Sequence, residues 1–161
     1  MPHLAALLRY VAGRLQAAPP HSHPKPVCPS ACKDGSPLVK HKAKSAYAVG
    51  PPGDVAAMQR ELMAHGPFEV GFEVFSDFHS YTKGVYSRTP TGVLGGGHAV
   101  KLVGWGKEDS SGDEYWLIAN SWTTNWGDKG FFKILRGTNE CGIEATPAAG
   151  LPATATLLHA G

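Results

Sequence analysis

Residues 68–75 read Phe-Glu-Val-Gly-Phe-Glu-Val-Phe. In an extended chain Phe68, Val70, Phe72 and Val74 fall on one side, and Glu69 and Glu73 on the other. A period of two fits a strand with one buried face. Two carboxylates on one face are able to do acid–base work, but a solvated outer face is the commoner outcome. Three more apolar runs follow, at 98–105, 115–120 and 130–136. An acidic segment, 107–114, joins the first two as a hairpin, and a turn-rich aromatic loop, 121–130, joins the last two. This succession predicts a mainly antiparallel β domain, barrel-like in outline.

One helix precedes the strands. Asp54 follows the turn Gly50-Pro-Pro-Gly53 and is suited to cap it. Val55, Met58 and Leu62 supply its buried stripe, Gly66 is a candidate C-cap, and Pro67 prevents continuation. A strand is expected at 45–49. Residues 76–81 read as a short helical turn and 84–86 as a short strand. After Glu144 the sequence 145–156 lacks periodicity and reads as a tail.

Prolines 19, 20, 24, 26, 29 and 37 make 17–37 a loop. His21 and His23 lie there without further ligands, so no metal site is expected. Leu4, Leu7, Leu8, Val11 and Leu15 share a helical face at the N-terminus. Arg9 and Arg14 interrupt what would be the apolar core of a secretory signal. This start reads as a frayed amphipathic helix or a segment outside the domain, ahead of an organellar transit peptide.

The net charge of +2 is too small to imply nucleic acid. Its basic part (Arg9, Arg14, Lys25, Lys33, Lys40, Lys42, Lys44) has no aromatic interleaving. No apolar run approaches the ~20 residues of a membrane span. Neither nucleic acid nor membrane is therefore an expected partner. Three cysteines, Cys28, Cys32 and Cys141, leave at least one unpaired. Cys28-Pro-Ser-Ala-Cys32 has no second pair to complete a zinc site.

The chemistry concentrates at Gly95-Gly-Gly-His98. A histidine beneath a glycine run opens a strand where backbone can approach a ligand closely. Asn120 ends the next strand. If the intervening hairpin pairs, both side chains lie at one end of the sheet. An Asn carbonyl accepting from one imidazole nitrogen fixes the tautomer and leaves the other nitrogen as a base. Trp122 and Trp126 would shield that bond. From these residues alone, a satisfied core histidine beside structural tryptophans weighs as heavily as a catalytic one.

Gly-Gly-His98-Ala-Val-Lys-Leu-Val-Gly-Trp-Gly, Tyr-Trp-Leu-Ile-Ala-Asn120-Ser-Trp122 and Trp126-Gly-Asp-Lys-Gly-Phe-Phe-Lys-Ile-Leu-Arg-Gly resemble the C-terminal half of a papain-like cysteine peptidase. Asn-Glu-Cys141-Gly-Ile-Glu144 and Gly66-Pro-Phe-Glu-Val extend the likeness, which is strongest to the cathepsin B branch. Cys28 and Cys32 resemble the cysteine pair after that branch's occluding loop. The resemblance implies an α+β family fold, of which this chain is the β-rich right-hand domain with one short helix. The expected limits are 27–152 for that domain, with 1–26 unassigned and 153–161 a tail.

The same resemblance assigns roles. His98 matches the catalytic base and Asn120 the residue that orients it. Trp122 matches the tryptophan that shields their bond and lines the primed side. Gly97 and Ala99 match positions beside the unprimed subsites. Thr146 stands where the branch often has an acid at the base of S2, so a basic P2 residue is not expected. Peptidyl-dipeptidase activity does not carry over, because His21 and His23 do not align with the occluding loop's histidines. The implied reaction is peptide-bond hydrolysis through a Cys-His-Asn mechanism, with no cofactor and no metal. The substrate would be a peptide or protein, and the compartment lysosomal, vacuolar or extracellular.

The family nucleophile lies in a Cys-Gly-Ser-Cys-Trp-like motif about 130–150 residues before the histidine. No such motif stands among the residues before His98 here, nor does the oxyanion glutamine. Cys141 matches a non-catalytic position. The resemblance puts the disulfide partners of Cys28 and Cys32 in the nucleophile-bearing domain, which is also the expected partner. The expectation is a chain inactive by itself; the alternative is a non-catalytic module that binds peptide or a partner. An upstream coding sequence carrying the nucleophile motif would instead mark a longer enzyme.

Overall fold

Asp54 starts the helix as expected: its Oδ1 accepts the Ala57 amide at 2.9 Å. Helix α1 runs Val55–His65 and ends at Gly66, whose φ of +89° a side chain would resist. Met58 is fully buried beneath it, and Val55 and Leu62 pack against the same core. These positions come from a computed structural model that describes residues 29–38 and 42–153. The N-terminal readings at 1–26, Cys28 and nearly all of the 153–161 tail lie outside the described residues.

Among the described residues seven strands form: β1 Ala43–Ala48, β2 Phe68–Phe75, β3 Val85–Tyr86, β4 Leu94–Lys107, β5 Glu114–Ala119, β6 Phe131–Leu135 and β7 Ala148–Pro152. They form one sheet in the order β1-β7-β2-β4-β5-β6-β3. All pairs are antiparallel except β3 with β6. The outline is less barrel-like than the sequence suggests. β1 and β3 stand at opposite ends of the strand order, so the sheet is open.

β4 is the organising strand. Its first part, Leu94 to Leu102, pairs with β2, and its last part, Lys101 to Lys107, pairs with β5. The register against β5 slips between Leu102 and Gly104, a bulge that leaves Val103 without a partner there. Phe68, Val70, Phe72 and Val74 of β2 are all buried, while Glu69 and Glu73 are exposed, so the alternation is realised. Val100, Leu102, Trp116, Ile118, Phe132 and Ile134 complete the buried face. Burying such side chains contributes about 1.5–3 kcal/mol each before the entropy of ordering is subtracted.

The stretch after Glu144 departs from the expected tail. Residues 148–152 form β7, which bridges β1 and β2. Its sequence, Ala-Ala-Gly-Leu-Pro, offers little apolar alternation, so the pairing rests on backbone hydrogen bonds. Gly150 is required there, because a Cβ would come within 2.7 Å of the Ser45 carbonyl oxygen.

Candidate active site

On β4 the core-facing positions run Leu102, Val100, His98. On β5 they run Trp116 and Ile118, and Asn120 is the next in that series. The register pairs Lys101 with Ala119. His98 and Asn120 are therefore the first polar residues beyond the apolar core, at one rim of the sheet. Phe72 lies opposite His98 across β2, with ring centroids 6.0 Å apart.

The two side chains meet. His98 Nε2 lies 2.9 Å from Asn120 Oδ1. The same oxygen accepts the Ser121 amide at 2.8 Å, which fixes which end of the Asn amide is the oxygen. An oxygen only accepts, so Nε2 carries the proton. Nδ1 makes no hydrogen bond among the described residues and is free to act as a base. Asn120 Nδ2 is buried and has no hydrogen-bond partner among the described residues.

Trp122 stacks on the imidazole, with centroids 5.3 Å apart and planes 21° from parallel. Trp126 does not reach His98. It packs edge-on against Trp122 at 5.0 Å and donates its indole proton to the His79 carbonyl at 3.0 Å. Of the two tryptophans read as shields, one lies over the pair and the other supports it.

The outward face beside the histidine is lined by small residues. Gly97 lies opposite Glu73 and Ala99 opposite Gly71 in the β2–β4 register. Thr146 Oγ1 stands 3.6 Å from where a Cβ on Gly71 would sit. Gly97, Ala99 and Thr146 thus share one side of the sheet. Gly96 precedes them with φ +149°, a conformation that favours glycine.

Among the described residues, neither Cys32 nor Cys141 joins this constellation. Cys141 is buried, and burial together with the adjacent Glu140 carboxylate pushes its thiol up to about 12. Cys32 is exposed, and its sulfur contacts the Pro37 carbonyl oxygen at 3.8 Å. Among the described residues no His, Cys, Asp and Glu side chains gather as a metal site would need. No helix among them is long and apolar enough to cross a membrane.

Two residues escaped the sequence reading. Glu144 is 1% exposed, and its carboxylate accepts from Trp116 Nε1 and from the Gly137 and Asn139 amides. His79 stacks on Trp122 at 5.2 Å with planes 5° apart. The Trp116 contact of Glu144 and the Trp122 stack of His79 join distant segments, which sequence spacing does not reveal.

Comparison with known proteins places these features in a wider set. The family described as papain family cysteine protease matches residues 9–151. Cathepsin B-like cysteine proteinase 6 of Caenorhabditis elegans is 50% identical over 137 residues, which cover 83% of this chain and 35% of that protein. Cathepsin B-like protease 1 of Arabidopsis thaliana is 49% identical over 135 residues, 81% of this chain and 34% of that protein. Among solved structures, procathepsin B S9 from Trypanosoma congolense superposes with a TM-score of 0.74 at 43% identity, covering 87% of this chain and 47% of that one. The chain spans about a third of the length of these two curated relatives.

Proposed function

Because the chain belongs to the papain family of cysteine proteases, of cathepsin B-like type, we propose that it carries the base half of a cysteine peptidase site. The observation that carries this reading is the 2.9 Å contact from His98 Nε2 to Asn120 Oδ1, which leaves Nδ1 free. His98 is the base. Asn120 holds its ring and tautomer, and Trp122 excludes water from their bond. Gly97, Ala99 and Thr146 form one wall of the peptide-binding cleft.

In this mechanism Nδ1 takes the proton of a cysteine thiol. The thiolate attacks the scissile carbonyl, and the imidazolium returns the proton to the leaving amine. Water, activated by the same nitrogen, then releases the acyl group. The thiol comes from a segment outside these 161 residues. Cys141 does not serve, since burial keeps it protonated. Cys28 and Cys32 lie in a proline-rich stretch of the sequence without the residues that flank the family nucleophile. Alone, the chain does not hydrolyse peptides. The working compartment is lysosome-like, vacuolar or extracellular, and the partner is the nucleophile-bearing domain.

The test is treatment of the purified chain with an E-64-type epoxide alongside a fluorogenic peptide. The expected result is neither labelling nor hydrolysis. Covalent labelling of any cysteine coupled to hydrolysis would overturn the inactive-alone reading.

A second reading has its own observation. Val93 and Leu94, just before the glycine run, are 69% and 54% exposed. Exposed apolar side chains close in sequence to His98 suit a module that holds peptide without cutting it. That reading requires saturable peptide binding by this chain, unchanged in His98→Ala.

A further inference from the structure

Trp122 has no hydrogen bond to its indole nitrogen among the described residues, so its orientation rests on ring packing. Phe78 and Trp126 meet it edge-on, at 5.5 Å and 63° and at 5.0 Å and 76°. Edge contacts limit how deep the indole sits. Contacts to its face decide how it is tilted, and two imidazoles make them: His98 at 5.3 Å and 21°, and His79 at 5.2 Å and 5°.

His79 is well placed to impose a tilt. It belongs to the short 3-10 turn Ser76–Ser80, which is tied down on several sides. The Ser76 amide donates to the Val93 carbonyl, and Ser76 Oγ accepts the Val93 amide. The Asp77 carboxylate accepts from the Thr89 amide and the Tyr86 hydroxyl. Phe78 is fully buried beneath the turn. The His79 carbonyl accepts from Trp126 Nε1 at 3.0 Å, so one residue grips both tryptophans of the 121–130 loop: Trp126 through its backbone and Trp122 through its ring. Its own ring is exposed and makes no hydrogen bond among the described residues. The stack is the contact that ring makes.

We propose that His79 is a positioning residue for the His98–Asn120 pair, acting through Trp122. It holds the indole parallel to the His98 imidazole and so keeps water from their hydrogen bond. The proposal rests on the reading of His98 as the base, but it is measurable without turnover. A flat ring at position 79 is what the role needs. An aliphatic side chain of similar bulk would fill the space without aligning the indole.

The test is the solvent-exchange rate of the His98 Nε2 proton in the 15N-labelled full chain. His79→Ala is expected to speed exchange by about two- to tenfold, the population change that losing one aromatic stack produces. His79→Phe is expected to restore the parent rate, and His79→Leu to behave like Ala. The Trp116 indole proton, buried on Glu144, reports in the same spectrum on the rest of the fold and is expected to stay constant. Equal rates in His79→Ala and the parent would overturn the proposal. So would full rescue by Leu, a parallel change at Trp116, or an unprotected His98 proton in the parent. The catalytic reading fails on a different result, activity that survives loss of His98, so the two failures are separable.

Discussion

Asn120 Oδ1 accepts two protons at once, from its neighbour Ser121 and from His98. The backbone contact locks the amide plane, and the locked plane aims the oxygen at the ring. A second contrast at this scale lies between Cys141 and Cys32. With its thiol pushed up to about 12, Cys141 is thiolate to about one part in ten thousand at pH 8. A water-soluble alkylating reagent at pH 8 is expected to modify exposed Cys32 rapidly and leave Cys141 unmodified until the chain is unfolded, as peptide mapping would show. The pair at His98 was legible in the sequence because glycine spacing and strand ends put both residues at one rim. The stack of His79 on Trp122 was not, because a turn and a loop meet there from distant parts of the chain.

Among the elements, the turn that follows β6 depends on one carboxylate. Asn139 and Cys141 both hold positive φ, at 53° and 51°, which non-glycine residues adopt at a cost. Glu144 offsets that cost by accepting two of the turn's amides and the Trp116 indole, and its own amide donates to Asn139 Oδ1. Glu144→Ala strands the buried Trp116 indole and two partly buried amides, and is expected to destabilise the chain by roughly 2–4 kcal/mol in denaturant melts; Glu144→Gln is expected to cost less. The turn at 76–80 has a similar anchor in Asp77. Burial raises its carboxyl, but hydrogen bonds from Thr89 and Tyr86 outweigh that and hold it below its ordinary value of 3.8. Its contribution is therefore present above pH 3.8 and lost as pH falls through the lower folded value. The stability gap between the parent and Asp77→Ala is expected to be larger at pH 5 than at pH 3. Elements with a strong local signal were legible: β2 from its alternation, α1 from Asp54 and Gly66. β7 was not, because Ala, Gly and Pro pair through backbone and leave no apolar period to read.

For the whole molecule, the proposal makes the open sheet, with His98 and Asn120 at its rim, one side of a cleft. Gly97 and Ala99 lie near the start of β4, just after the exposed Val93 and Leu94. The family and its β-rich architecture were legible in the motifs. The open ends of the sheet were not, since closure depends on how β1 and β3 are placed and no motif encodes that. The most direct test of the central claim is peptide hydrolysis by the purified chain, measured alone and after co-folding with the nucleophile-bearing half of a cathepsin B-like proteinase. Hydrolysis is expected to be absent from the chain alone, to appear on co-folding, and to fall by at least about a thousandfold when His98→Ala replaces the parent chain. Hydrolysis by the parent chain alone, or co-folded activity that survives His98→Ala, would contradict that claim.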